Sequence, residues 1–143
     1  MEYIDKAINS LNDICVECIH YGTEQCVKRK CNIGFSLTML EKIKTSPLIL
    51  EGGISLIPCE DGKYYDENKI ARSIASICKL CKECNEHHNE SCIISLARKS
   101  IEVMVLNDSE IYPGNIFTYL VNVGKHNPEF SSLVMEEYQK LSY

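Results

Sequence analysis

The chemistry in this chain is concentrated in its cysteines. Residues 77–92 read ICKLCKECNEHHNESC, with four cysteines and two histidines in sixteen positions. The whole chain has nine cysteines in 143 residues. A C-x-x-C pair lets two thiolates meet at one metal because the backbone between them curls around it; zinc sites and iron–sulfur clusters both use it. Disulfides are the other use of dense cysteine, but an odd count makes an incomplete framework, and a reducing cytosol favours metal or redox roles.

Shifting the chain by 66 residues aligns its two halves. Cys15, Cys18 and Cys26 fall on Cys81, Cys84 and Cys92, and both copies read C-x-E-C, seven residues, then Cys. Ile4, Ile8, Leu11 and Ile14 fall on Ile70, Ile74, Ile77 and Leu80 in the same register, and Pro47 falls on Pro113. The reading is one domain over 1–143 with an internal duplication, 1–66 and 67–143. Chance likeness of two amphipathic helices is the bland alternative.

The fourth ligand differs between the copies. Cys31 lies five residues after Cys26, and Cys78 lies three before Cys81. Two four-cysteine sites result: Cys15, Cys18, Cys26 and Cys31, then Cys78, Cys81, Cys84 and Cys92. Cys59 is left over as a loop thiol. Cys78 and Cys31 each carry a second reading as small buried core residues. His20, His87 and His88 read as turn residues rather than ligands. Two separate sites and one shared site, with the tips meeting, both satisfy the spacing.

In the second set, C-x-x-C-x-x-C is the spacing of bacterial ferredoxin cluster loops; the likeness ends there and does not extend to their fold. On an unbroken helix these three cysteines would fan over about 120° and rise about 9 Å. One zinc ion with Zn–S near 2.3 Å reaches all three poorly, whereas a cluster could do so at a frayed helix end. The expected cofactor is therefore one or two [4Fe–4S] clusters, with Zn²⁺ as the alternative. Lys28, Arg29, Lys30, Lys79 and Lys82 flank the sites, either offsetting thiolate charge or forming an ordinary solvated face.

The elements that must hold these residues are helices. Apolar positions 4, 8, 11, 14 and 70, 74, 77, 80 recur at 3–4 spacing. Asp66 is a candidate N-cap for the second of these helices. Return helices follow over about 25–44 and 91–107, the latter with Ser91 as candidate cap, so that the third cysteine of each set opens its return helix. Two more helices are expected, one near Pro113 and one from Asn127-Pro128 to about Leu141. The segment 48–65, with Gly-Gly, Pro58 and Asp-Gly, allows at most a short β-hairpin. The fold class is mainly α: duplicated αα-hairpins forming a helical bundle, with cysteine metal sites at the hairpin tips.

Composition narrows the function. The formal net charge is −5, which disfavours nucleic-acid binding, since that draws on phosphate neutralisation. No apolar run reaches the roughly 18–20 residues of a membrane span, and MEYIDKAINS lacks a signal-peptide core, so a cytoplasmic protein is expected. No nucleophile–base motif and no phosphate loop is present, so the chain reads as no enzyme by itself. Three functions compete: a metal-binding protein carrying iron–sulfur for electron transfer or redox sensing, or as accessory to a redox enzyme, with a protein partner; a zinc-stapled helical interaction module using Phe117, Tyr119, Phe130 and Tyr138, which read first as core; and a thiol–disulfide switch.

Overall fold

Ile4, Leu11 and Ile14 are buried along α1 (Glu2–Cys15) in a computed structural model of the chain, and Ile8 is half-buried against the same core. The structure describes residues 2–45, 47–59, 61, 65–83, 90–106 and 109–141. Within them the helices continue as α2 (Asn32–Glu41), α3 (Glu67–Glu83), α4 (Ile93–Leu106), α5 (Ile116–His126) and α6 (Pro128–Lys140).

The helix α1 packs on α2 and α3, and α4 packs on the same two, closing a square of four helices. The 3–4 stripe of α3, Ile70, Ile74, Ile77 and Leu80, is buried there. Ala7, Ala71 and Ala75 are buried on α1 and α3, where small side chains let helix axes approach. α6 covers another side of α3, and α5 packs on α6.

Caps match the sequence at two helices. Asp66 accepts the backbone N–H groups of Asn68 at 2.8 Å and Lys69 at 3.3 Å. Asn127 accepts from Phe130 N–H at 3.0 Å, with Pro128 opening α6. Three expectations are corrected. The first return helix starts at Asn32 rather than near 25, because Lys28–Lys30 form a separate 3-10 turn and Cys31 takes the cap position. At α4, Cys92 rather than Ser91 is the capping residue, since its carbonyl accepts Leu96 N–H at 2.9 Å. No β-hairpin forms among the described residues of 48–65. Residues 48–50 instead pair with the entry to α4: Ile93 N–H donates to Leu48 at 2.7 Å and Leu50 N–H to Ser91 at 2.9 Å, around an Ile49–Cys92 bridge. Gly52, at φ 73°, then turns the chain into a 3-10 turn at Gly53–Leu56.

Two polar knots lie inside this apolar frame. Ser100 Oγ donates to the Asn32 carbonyl at 2.9 Å and accepts from Asn32 Nδ2 at 3.2 Å, tying α2 to α4. Elsewhere on α4, fully buried Arg98 pairs with fully buried Glu102 at 2.6 Å and donates to the Glu110 carbonyl at 2.9 Å. Glu102 accepts Glu110 N–H at 3.0 Å and the Tyr119 hydroxyl. The Tyr112 and Tyr119 rings stand 5.8 and 5.3 Å from the guanidinium carbon. Of the C-terminal aromatics, Tyr119, Phe130 and Tyr138 are core, as expected, whereas Phe117 is 68% exposed.

Removing one member of a buried pair strands the other charge, at about 3–5 kcal/mol. Arg98→Met and Glu102→Gln are each expected to lower unfolding free energy by about 3 kcal/mol or more, measured by urea denaturation. The two losses are expected to be strongly non-additive in the double variant.

Candidate metal centre

Cys15 is the last residue of α1, and the chain folds back beneath it. The backbone N–H groups of Val16, Glu17 and Cys18 return to the carbonyls of Asn12, Ile14 and Cys15 at 3.0, 3.2 and 3.0 Å. This tight end brings Cys18 under the helix terminus. A second turn follows, in which His20 N–H donates to Cys18 Sγ at 3.5 Å. Gly22, at φ 75°, carries the chain onward, and Cys26 is held by its N–H to the Thr23 carbonyl at 3.2 Å. Cys15 and Cys18 are half-buried, and Cys26 is exposed.

Cys31 is buried at the start of α2. Its sulfur accepts Gly34 N–H at 3.4 Å, so the thiol itself is the N-cap acceptor. This cap depends on a close approach. A Cβ on Gly34 would stand 2.7 Å from Lys28 Cα and 2.9 Å from its carbonyl oxygen, so only glycine lets the Lys28–Lys30 turn lie against the helix. Tyr65 OH lies 3.6 Å from the same sulfur.

In the first set, Cys15 lies in electrostatic reach of the other three cysteines. The Cys15 thiol is pushed up from 9.0 to about 11 by burial and by the charges of Cys31, Cys26 and Cys18, with Lys28 acting in the opposite sense. Those three neighbours are the other members of the set read from spacing. Lys28 is thus in electrostatic reach of Cys15, while the whole 28–30 turn is solvent-exposed. Among the described residues no three Cys, His, Asp or Glu side chains converge to coordination geometry. A cleft of about 710 Å³ opens beside the set, lined by Glu17, Cys18, Tyr65, Asp66 and Lys69 among others. A Lys69–Glu17 ion pair spans it.

The second set is placed differently. Cys78 has no exposure and lies in electrostatic reach of Arg98, Cys81 and Glu102; burial pushes its thiol well up. Cys81 is half-buried one turn later on α3, and both act on Tyr112 and Tyr138. Cys92 is half-buried at the α4 cap. Cys84, His87 and His88 lie outside the described residues, as does the Lys82 side chain. Lys79 is not a solvated lysine: it is buried over the Tyr138 ring, 3.9 Å from the centroid. Cys59 is exposed, as a loop thiol should be.

Spacing did not point to Gly34, Asp61 or Tyr65. Asp61 and Tyr65 lie some thirty residues from Cys31 in sequence, and no local pattern connects them to it.

Thiolate is the nucleophile in alkylation, so the placements predict an order of labelling. In a short iodoacetamide pulse read by mass spectrometry, Cys26 and Cys59 are expected to label first and Cys78 only on unfolding. The rate at Cys15 is expected to keep rising with pH up to about 11. Comparison with protein families, with curated proteins and with solved structures gives no match for this chain.

Proposed function

We propose that this is a small cytoplasmic metal-binding protein in which Cys15, Cys18, Cys26 and Cys31 hold a [4Fe–4S] cluster used for electron transfer or redox sensing. What supports the reading is the C-x-E-C motif with its following cysteines, together with backbone donors directed at two of the sulfurs. His20 N–H is directed at Cys18, and Gly34 N–H at Cys31. Hydrogen bonds to ligand sulfurs are among the levers that set a cluster's potential. Exposed Cys26 would close onto Cys15 and Cys31 when the metal is taken up, and Lys28 would offset part of the thiolate charge.

Cys78, Cys81, Cys84 and Cys92 form the candidate second site. In support, α3 runs unbroken through Cys78 and Cys81, which separates them by about 60° and 4.5 Å of rise, a C-x-x-C spacing that iron–sulfur and zinc sites both use. The proposed duplication is supported by the equivalent positions Ile4 and Ile70, Leu11 and Ile77, and Ile14 and Leu80, all buried.

A second observation favours a protein partner. Phe117 and Val121, one turn apart on α5, are 68% and 62% exposed, and Ile111 before that helix is 67% exposed. This face suits an electron donor or a redox enzyme that the protein would serve as accessory. In the zinc-stapled alternative it would be the binding surface itself.

Anaerobic purification is expected to yield a brown protein absorbing near 400 nm, with about four irons per filled site. Cys15→Ser and Cys31→Ser are expected to lose the first-site iron, and Cys59→Ser to keep it. A colourless protein with stoichiometric zinc would replace this reading with the zinc-stapled module. A metal-free protein whose thiols oxidise reversibly would replace it with the thiol switch.

A further inference from the structure

We infer that Tyr65, oriented by Asp61, is a positioning residue that hydrogen-bonds the Cys31 sulfur and aims it at the bound metal. The inference rests on the proposed first-set centre. Tyr65 belongs to neither cysteine motif. It lies in the connector that leads into α3, and its hydroxyl reaches back to within 3.6 Å of Cys31 Sγ. The same hydroxyl donates to Asp61 Oδ2 at 2.8 Å.

Asp61 is itself fixed, because Oδ2 also accepts the Asn32 backbone N–H at 3.0 Å. Asn32 is anchored in turn by Nδ2 to the Pro58 carbonyl at 2.8 Å and to Ser100 Oγ at 3.2 Å. An ordered chain therefore runs from the α2–α4 interface through Asp61 to Tyr65 and ends at a sulfur. Tyr65 also lines the cleft that Cys18 lines.

A phenol has one proton to donate and two lone pairs. A thiol can donate to the phenol oxygen while the phenol donates to Asp61. A metal-bound thiolate accepts only, so the phenol must turn its proton to sulfur. Asp61 can release it because Asn32 N–H remains as its donor. Together with Gly34 N–H at 3.4 Å, this gives the Cys31 sulfur two donors in different directions, which fixes where its remaining lone pairs point. Partners one step out from a metal ligand are typically worth about 10–100-fold in metal affinity.

The test uses Co²⁺ as probe, titrated anaerobically into the reduced full-length chain, with absorption reporting thiolate-to-cobalt charge transfer. Tyr65→Phe is expected to weaken Co²⁺ binding about 10-fold and to shift the charge-transfer band. In a Cys31→Ser background, Tyr65→Phe is expected to change neither. Far-UV circular dichroism and melting of the metal-free forms check that the variants fold. Equal affinity and an unchanged band in Tyr65→Phe would overturn the inference while leaving the metal centre standing. An equal loss in the Cys31→Ser background would overturn it too, by showing that Tyr65 only supports the fold. A wild-type chain with no thiolate-to-cobalt band would overturn the metal centre itself, and the inference with it.

Discussion

Asn32 is buried with its polar groups engaged: its N–H donates to Asp61, its carbonyl accepts from Ser100 Oγ, and its side-chain amide donates to Pro58 and Ser100. A polar side chain is stable in such a place only when its hydrogen bonds are made. Satisfying this one holds three parts of the chain in fixed relation: the start of α2, the middle of α4 and the connector before α3. The residue before it, Cys31, then has one permitted place, at the cap of α2. The residue bound to it, Asp61, brings Tyr65 to the same sulfur. The placing of Tyr65 beside Cys31 therefore follows in part from burying one asparagine at the helix start.

Under the proposed 66-residue repeat, the counterpart of Asn32 is Arg98. Each is fully buried, and each links its helix to a segment outside it. Asn32 reaches the connector before α3, whereas Arg98 reaches the Glu110 carbonyl and, through Glu102, Tyr119 on α5. The difference is one of charge. An amide is satisfied by neutral partners, but a buried guanidinium needs an anion, and Glu102 supplies it. Burial alone would hold Glu102 in its acid form, while Arg98, Tyr119 and the Glu110 N–H all favour the carboxylate. Among the described residues Nε and Nη2 of Arg98 have no hydrogen-bond partner, and the Tyr112 and Tyr119 rings flank the guanidinium. Among the described residues its partners therefore lie at one edge and on aromatic faces.

What could be read from the sequence were features that local rules determine. The stripes of α1 and α3 follow from 3–4 spacing, and the caps at Asp66 and Asn127 from residue type and place. The errors came where a distant contact decided. Nothing near residue 25 forbids a helix; the start moves to Asn32 because Lys28 packs against the bare Cα of Gly34, and because Asp61 and Pro58 receive the donors of Asn32. The strand-like pairing of 48–50 was invisible because its partner lies at the entry to α4. Arg98 and Glu102 look like an ordinary exposed i,i+4 pair, and distant partners, Tyr112 and Tyr119 among them, make them core. Likewise Phe117 has the composition of a core residue, but its side of α5 has no covering element among those described.

Similar cysteine spacing thus leads to two different physical environments. In the first set Cys15 and Cys31 stand at helix ends and Cys18 and Cys26 in the turns between them, near an exposed basic turn and an open cleft, with backbone donors turned to two of the sulfurs. Thiolate charge there can be met by water, by Lys28 and by hydrogen bonds. In the second set Cys78 is inside the bundle, and the cation beside it already answers Glu102. A thiolate at that place would add a charge with no partner of its own, in a medium that penalises unpaired charge heavily. A neutral Cys78 thiol adds no charge, and packs as a small apolar side chain. The question of Cys78 therefore becomes one of charge balance: it ligates only if the metal it binds carries enough positive charge to take the place of a cation that the fold has assigned to Glu102.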